Sequence, residues 1–162
     1  MDLDLLAQQV GAQLRQQALL LVTAESCTGG WIAKAITDIA GSSAWFDRGF
    51  ITYTNAAKQE MLGVRAETLT AQGAVSEASV LEMAEGALAR SHAQVSVAVS
   101  GIAGPSGATL TKPVGLVCFA WGRTGHVTAT ATEHFSGDRD SVRRQAVERA
   151  LRGVLEILQR AM

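Results

Sequence analysis

The side chains with the most chemical potential lie within one short stretch, Thr23-Ala24-Glu25-Ser26-Cys27-Thr28-Gly29-Gly30. A carboxylate, hydroxyls and a thiol sit within a few residues of one another, next to two glycines that let a ligand approach the backbone. An apolar run over residues 18–22 leads in, and a helical pattern over 31–39 leads out. The stretch therefore reads as a turn at the carboxyl end of a strand, where open α/β sheets place ligands. Unpaired N–H groups at the start of the next helix favour an anion there. Ser26 reads either as a nucleophile that needs a base from elsewhere in the chain or, like Thr28, as a cap for that helix. Cys27 is either a competing nucleophile, with a pKa lowered by the helix N-terminus, or a small buried hydrophobe.

A base must come from a second segment, and Tyr53-Thr54-Asn55-Ala56-Ala57-Lys58 supplies a lysine. Lys58 can act as a general base only where burial or nearby positive charge lowers its pKa; otherwise it is an ordinary solvated helix lysine. Tyr53 is either a proton relay or a half-buried strand tyrosine. His92, His126 and His134 fall on peripheral positions without partnered carboxylates, which argues against a histidine triad. The glycine-rich loop from Gly101 lacks the Gly-Lys-Ser/Thr of a P-loop and the dinucleotide fingerprint. It is either a plain surface loop or a source of backbone N–H groups for a phosphate or carbonyl oxygen. Arg139, Arg143 and Arg144 stand at the start of the last helix against its dipole, so at least one is expected to meet an anion. Asp138, Asp140 and a ligand phosphate or carboxylate are the candidates.

The elements that must position these groups follow from periodicity. Leu5, Leu6, Val10, Leu14 and Ala18 mark a first helix, and Trp31, Ile32, Ala35, Ile36 and Ile39 a second that Gly41 ends. A strand is expected over 48–54. Asn55 is expected to cap a helix over 56–62 that Gly63 stops, and Ser76 to cap one carrying Val80, Leu81, Ala84 and Leu88. Val95, Val97 and Val99 alternate along a strand with both faces buried, and 114–121 with 126–135 read as a hairpin ending in an edge strand. Val142, Ala146, Val147, Ala150, Leu151, Val154, Leu155 and Leu158 define a final helix. The expected fold class is α/β, a three-layer α/β/α arrangement whose mixed sheet is covered by helices on both faces.

Composition narrows the function. The 162 residues, 48% hydrophobic, suit a single domain over 1–162. A formal net charge of −1, from 14 basic and 15 acidic residues, supplies no global field for nucleic acid or an anionic membrane. Two cysteines without metal or disulfide spacing, an acidic amino terminus and no apolar run near about 20 residues point to a soluble cytoplasmic protein without a metal or cofactor.

Ala24-Glu25-Ser26-Cys27-Thr28-Gly29-Gly30, Tyr53-Thr54-Asn55-Ala56-Ala57-Lys58, Gly73-Ala74-Val75-Ser76, Ser100-Gly101-Ile102-Ala103-Gly104-Pro105, Lys112-Pro113-Val114-Gly115 and Phe135-Ser136-Gly137-Asp138-Arg139 together resemble the CinA C-terminal domain family, in its stand-alone nicotinamide-nucleotide amidohydrolase form. The resemblance spans nearly the whole chain. It implies hydrolysis of the carboxamide of nicotinamide mononucleotide, with Ser26 as nucleophile and Lys58 and Tyr53 as its activating partners. Ser43, Ser100, Gly101 and Arg139 resemble positions lining the substrate site, although the family more often has threonine at the place of Ser100. Gly29 and Gly30 are expected beside the substrate. A small-molecule nucleotide partner and a homodimer are further expectations, the second also suggested by the edge strand. The extra amino-terminal nucleotide-hydrolase domain of longer members lies outside these 162 residues, so its activity is not expected. The competing readings are a non-catalytic nucleotide-binding module and a different amidase or esterase that uses Cys27.

Overall fold

Asp2 starts the first helix, α1 (Leu3–Gln16), by accepting a hydrogen bond from the Asp4 N–H at 2.9 Å. The computed structural model describes residues 2–160. Leu6, Val10 and Leu14 form the buried stripe of α1, but two expected members are not in it. Leu5 sits about 100° round the helix from Leu6 and is 47% exposed, and Ala18 lies past the helix end in a left-handed turn with φ 56°.

The chain then enters β1 (Leu21–Glu25), passes through the Ser26 turn into α2 (Trp31–Thr37), and makes a short 3-10 turn over Ser42–Ala44 before β2 (Phe46–Ile51). β2 starts and stops earlier than its sequence suggests. After it, Thr52 gives one last bond to the Glu25 carbonyl (2.8 Å), and the chain turns into α3 (Asn55–Leu62). Thr54, not Asn55, caps α3 by accepting from the Ala57 N–H at 3.0 Å, and Gly63 stops it at φ 71°.

Helix α4 (Ala66–Gln72) buries only Thr68 and Leu69, too little to leave a periodic signal, and the sequence reading passes over it. Ser76 caps α5 (Glu77–Ala89) as expected, accepting from the Ser79 N–H at 3.1 Å. The buried side of α5 is Val80, Met83, Ala84, Gly86 and Ala87, while Leu81 and Leu88 stand at its margins. Small residues win that face because the helix lies close to its neighbours: a Cβ on Gly86 would come 1.9 Å from the Leu62 carbonyl oxygen of α3.

Strands β3 (Val95–Gly101), β4 (Leu116–Arg123) and β5 (Ala129–His134) precede the closing helix α6 (Arg139–Arg160). The sheet order is β2-β1-β3-β4-β5, with β1 parallel to both β2 and β3 and the β3-β4-β5 pairs antiparallel. β5 is an edge strand, as its wetter face suggests. Strand alternation divides the core. Leu21, Val95, Val97, Val99, Val117 and Phe119 meet α1, α2 and α6 on one face, and Val22, Ala24, Ala98, Cys118 and Ala120 meet α3, α4 and α5 on the other. This is the three-layer mixed-sheet architecture read from the sequence. No helix among the described residues is long and apolar enough to cross a membrane.

The connections leave β1 and β3 in opposite directions. From β1 the chain crosses to β2 at one edge, and from β3 it passes to β4 on the other side. Between their carboxyl ends lies the crevice that such a switch in strand order creates.

Candidate active site

Ser26 follows the last residue of β1 and is anchored by its N–H to the Val99 carbonyl of β3 (3.1 Å), which sets it over the crevice. Glu25, fully buried, turns its carboxylate beneath α2. It accepts from the Thr28 hydroxyl (2.6 Å), the Ile32 N–H (2.8 Å) and the Ala33 N–H (3.1 Å). The free N–H groups at the start of α2 are thus satisfied by the protein's own carboxylate. This corrects two expectations: neither Ser26 nor Thr28 caps α2 directly, and that helix start is already occupied by an anion. With capping duty taken by Glu25, the Ser26 hydroxyl is available for other work.

Lys58 projects from α3 to the same place. Its amine lies 2.9 Å from Ser26 Oγ, 3.0 Å from the Thr52 carbonyl oxygen and 3.2 Å from the Tyr53 carbonyl oxygen, with the side chain 1% exposed. Burial disfavours the charged amine and lowers the pKa of Lys58 below the ordinary 10.5, with Cys27 pulling weakly the other way. This is the desolvation a lysine needs to serve as a base. The Cys27 thiol is moved in the opposite sense for a nucleophile: burial raises its pKa to about 12 despite the opposing influence of Arg143.

Ser26, Cys27, Tyr53, Asn55, Lys58, Ala74, Val75, Ser100, Gly101, Ala103 and Arg139 line one pocket of about 180 Å³. Larger hollows exist, such as that of about 310 Å³ beside Trp121, Arg123 and His126, but they hold no comparable nucleophile and base. Ser100 and Gly101 reach the pocket because they end β3, beside the end of β1. Arg139, the first residue of α6, donates to the Gly104 carbonyl (2.9 Å) and to the Tyr53 hydroxyl (3.4 Å) at the rim. Tyr53 is 61% exposed. It meets Lys58 through its backbone carbonyl, while its phenol lies against Arg139 at the pocket lining.

Three expected site residues are not brought to this pocket. Gly29 and Gly30, at φ 59° and 105°, shape the turn but face a separate hollow lined with Trp31, Ile51 and Arg143. Ser43 is exposed ahead of β2, at the amino end of the sheet and therefore opposite Ser26. His92, His126 and His134 are all exposed and outside the pocket. Among the described residues no group of His, Cys, Asp and Glu could hold a metal ion.

The sequence reading missed the part played by Arg143. Its Nε donates to the Cys27 carbonyl (3.0 Å) and its Nη2 to the Thr28 carbonyl (3.1 Å), while the guanidinium lies 5.6 Å from the Trp31 ring centroid. The crowding of arginines against the α6 dipole was the available signal; within the chain Arg143 meets carbonyl oxygens, not the carboxylates of Asp138 or Asp140. Asp138 caps α6, accepting from the Ser141 N–H at 2.9 Å.

Fold and site together define the class: a three-layer α/β/α protein with a buried serine–lysine pair at the carboxyl edge of its mixed sheet. The CinA C-terminal domain family profile matches residues 3–158, and the chain belongs to that family. A relative from Escherichia coli K12, Nicotinamide-nucleotide amidohydrolase PncC, is 57% identical over 150 residues, covering 93% of this chain and 91% of its own. The crystal structure of competence/damage inducible protein CihA from Agrobacterium tumefaciens superposes with a TM-score of 0.94 at 48% identity, covering 98% of this chain and 96% of that one. A competence-damaged protein (CinA) superfamily protein from Klebsiella pneumoniae gives 0.95 at 40% identity and 99% coverage of both chains.

Proposed function

We propose that the protein is a nicotinamide-nucleotide amidohydrolase that converts nicotinamide mononucleotide to nicotinate mononucleotide and ammonia through a serine acyl-enzyme. The activity named for the 57% identical relative supports the substrate. The observation that carries the mechanism is the 2.9 Å contact between Ser26 Oγ and the Lys58 amine in a buried setting.

A neutral lysine amine has two N–H donors and one lone pair. Charged, Lys58 donates to Ser26 Oγ and to the Thr52 and Tyr53 carbonyls; once neutral, it keeps the two carbonyls as acceptors and turns its lone pair to the Ser26 hydroxyl proton. Ser26 Oγ attacks the carboxamide carbon as its proton passes to Lys58. The C–N bond then breaks, and ammonia leaves with a proton returned by Lys58. Water attacks the resulting ester and gives one proton to Lys58, which passes it to Ser26 as the acid leaves; the acid's remaining proton is lost to solvent or to the released ammonia, giving the carboxylate. Charge on the carbonyl oxygen needs N–H donors during both steps. In the turn, the Gly29 N–H is committed to the Ser26 carbonyl, that of Trp31 to Thr28, and those of Ile32 and Ala33 to Glu25. Of the turn's remaining N–H groups, those of Cys27, Thr28 and Gly30, the first two directly follow Ser26 and are assigned the oxyanion.

A pocket of about 180 Å³ is small against the roughly 300–1,000 Å³ of sites that enclose whole drug-sized ligands. It accepts the pyridine ring and leaves the ribose phosphate at the rim, where Arg139 supplies the cation. Ser100 and Gly101 form the wall beside the ring.

The test is ammonia release from nicotinamide mononucleotide. Wild-type protein should turn it over, Ser26→Ala should lose essentially all turnover while remaining folded, and thiol alkylation should leave it little changed. Full activity of Ser26→Ala would defeat the nucleophile assignment, and tight nucleotide binding without turnover by the wild type would replace the enzyme with a binding module.

A further inference from the structure

From the two hydrogen bonds it gives the Ser26 turn, we infer that Arg143 is a positioning residue for the nucleophile: it fixes the peptide planes that aim Ser26 Oγ and the oxyanion donors without touching the substrate. The inference rests on Ser26 being the nucleophile. Two parallel donors of one planar guanidinium hold two consecutive carbonyls, Cys27 at 3.0 Å and Thr28 at 3.1 Å. Each peptide unit is planar and trans, so its N–H points opposite to its carbonyl. Holding the Cys27 carbonyl fixes the Thr28 N–H, and holding the Thr28 carbonyl fixes the Gly29 N–H, which closes the turn on the Ser26 carbonyl at 3.1 Å.

The turn is therefore gripped from two sides. Glu25 ties it to α2 through three donors from within the core, and Arg143 ties it to α6 from the outside, stacked by Trp31. Without the outer grip the Thr28 carbonyl keeps only the Trp31 N–H (3.0 Å), and the two residues that follow it are glycines at positive φ, which restrain the backbone least. Arg143 stands one helical turn beyond Arg139, so the helix that offers a cation at the rim of the pocket also sets the nucleophile. Arg143 is absent from the pocket lining. A role in positioning therefore predicts an effect on the chemical step and not on binding.

The test compares wild type, Arg143→Ala, Arg143→Lys and Ser26→Ala by steady-state ammonia release, with melting temperature as the control for folding. A misplaced nucleophile costs on the order of 100-fold. Arg143→Ala should thus lose about that factor in kcat with KM within about twofold, and low-millimolar guanidinium ion should restore part of kcat. Arg143→Lys, which keeps the charge but not the fork, should also be impaired in kcat alone; it carries the test if Arg143→Ala does not fold. Unchanged kcat in the folded variants, or a loss confined to KM, overturns the inference while an inactive Ser26→Ala leaves the nucleophile standing. An active Ser26→Ala removes both.

Discussion

Lys58, the base of the proposed hydrolysis, is held where burial costs stability. A lysine amine 1% exposed and surrounded by one hydroxyl and two carbonyls is costly to protonate, and its pKa is lowered for that reason. Between that lowered value and the ordinary 10.5 the unfolded chain binds more protons than the folded one, so the group's contribution to stability rises with pH across the window. Below the lowered pKa the full penalty is present. Lys58→Met should abolish ammonia release, and its stability relative to wild type should become less favourable as pH rises toward 10.5, because only the wild type gains from losing that proton. Thermal melts across pH measure the difference; one that stays constant over this window would contradict the burial cost assigned to the amine. In the wild type, kcat should rise with pH along a limb set by Lys58 and lying below the ordinary lysine range. Cys27, by contrast, is adjacent in sequence but holds its proton to about pH 12, so adjacency alone does not make it a rival.

The element that delivers Lys58 is short, and its placement depends on one close approach. Helix α3 is set against α5 at Gly86, where a Cβ would meet the Leu62 carbonyl oxygen at 1.9 Å and its carbon at 2.9 Å. Backbone atoms cannot swing aside, so Gly86→Ala must push α3 away from α5, carrying Lys58 with it. The expected result is a loss of about 1–3 kcal/mol in denaturant unfolding together with a fall in kcat. Retained kcat at reduced stability would show that α3 shifts without moving the amine. The turn before α2 works differently: its anchor is the Glu25 carboxylate, which leaves the adjacent serine free of structural duty.

At the scale of the molecule, the pocket exists because the connections from β1 and β3 diverge, opening a crevice into which α3 sends the Lys58 amine and α6 the Arg139 guanidinium. Arg139 reaches it from the start of a 22-residue helix whose other end packs at the opposite edge of the core. Arg139→Ala should weaken nicotinamide mononucleotide at least tenfold in KM, about 1.4 kcal/mol, while hardly changing hydrolysis of nicotinamide itself. Equal effects on both substrates would remove the phosphate from Arg139. The homodimer implied by the family resemblance is a separate expectation, measurable by sedimentation of the purified chain.

What the sequence determined by itself is what rests on neighbours a few residues apart: the strand–turn–helix around Ser26, the caps and stops at Ser76 and Gly63, the stripe of α6 and the alternation of β3. Burial periodicity and turn chemistry are written locally, so these were legible, as were the mixed sheet and its two covering layers. Apart from the Ser26–Lys58 pairing that the family resemblance implied, only the tertiary structure decided which polar groups meet. Ser26 and Lys58 lie 32 residues apart, and Arg143 and Cys27 lie 116 apart, so no spacing rule joins them. Sheet order and helix side settle such encounters, and they also sent Ser43 to the far end and turned Gly29 and Gly30 toward another hollow. Ser26 could be read from sequence as a cap or a nucleophile because both uses need the same hydroxyl at the same turn. Glu25 takes the cap and Lys58 reaches the hydroxyl only once the chain has folded.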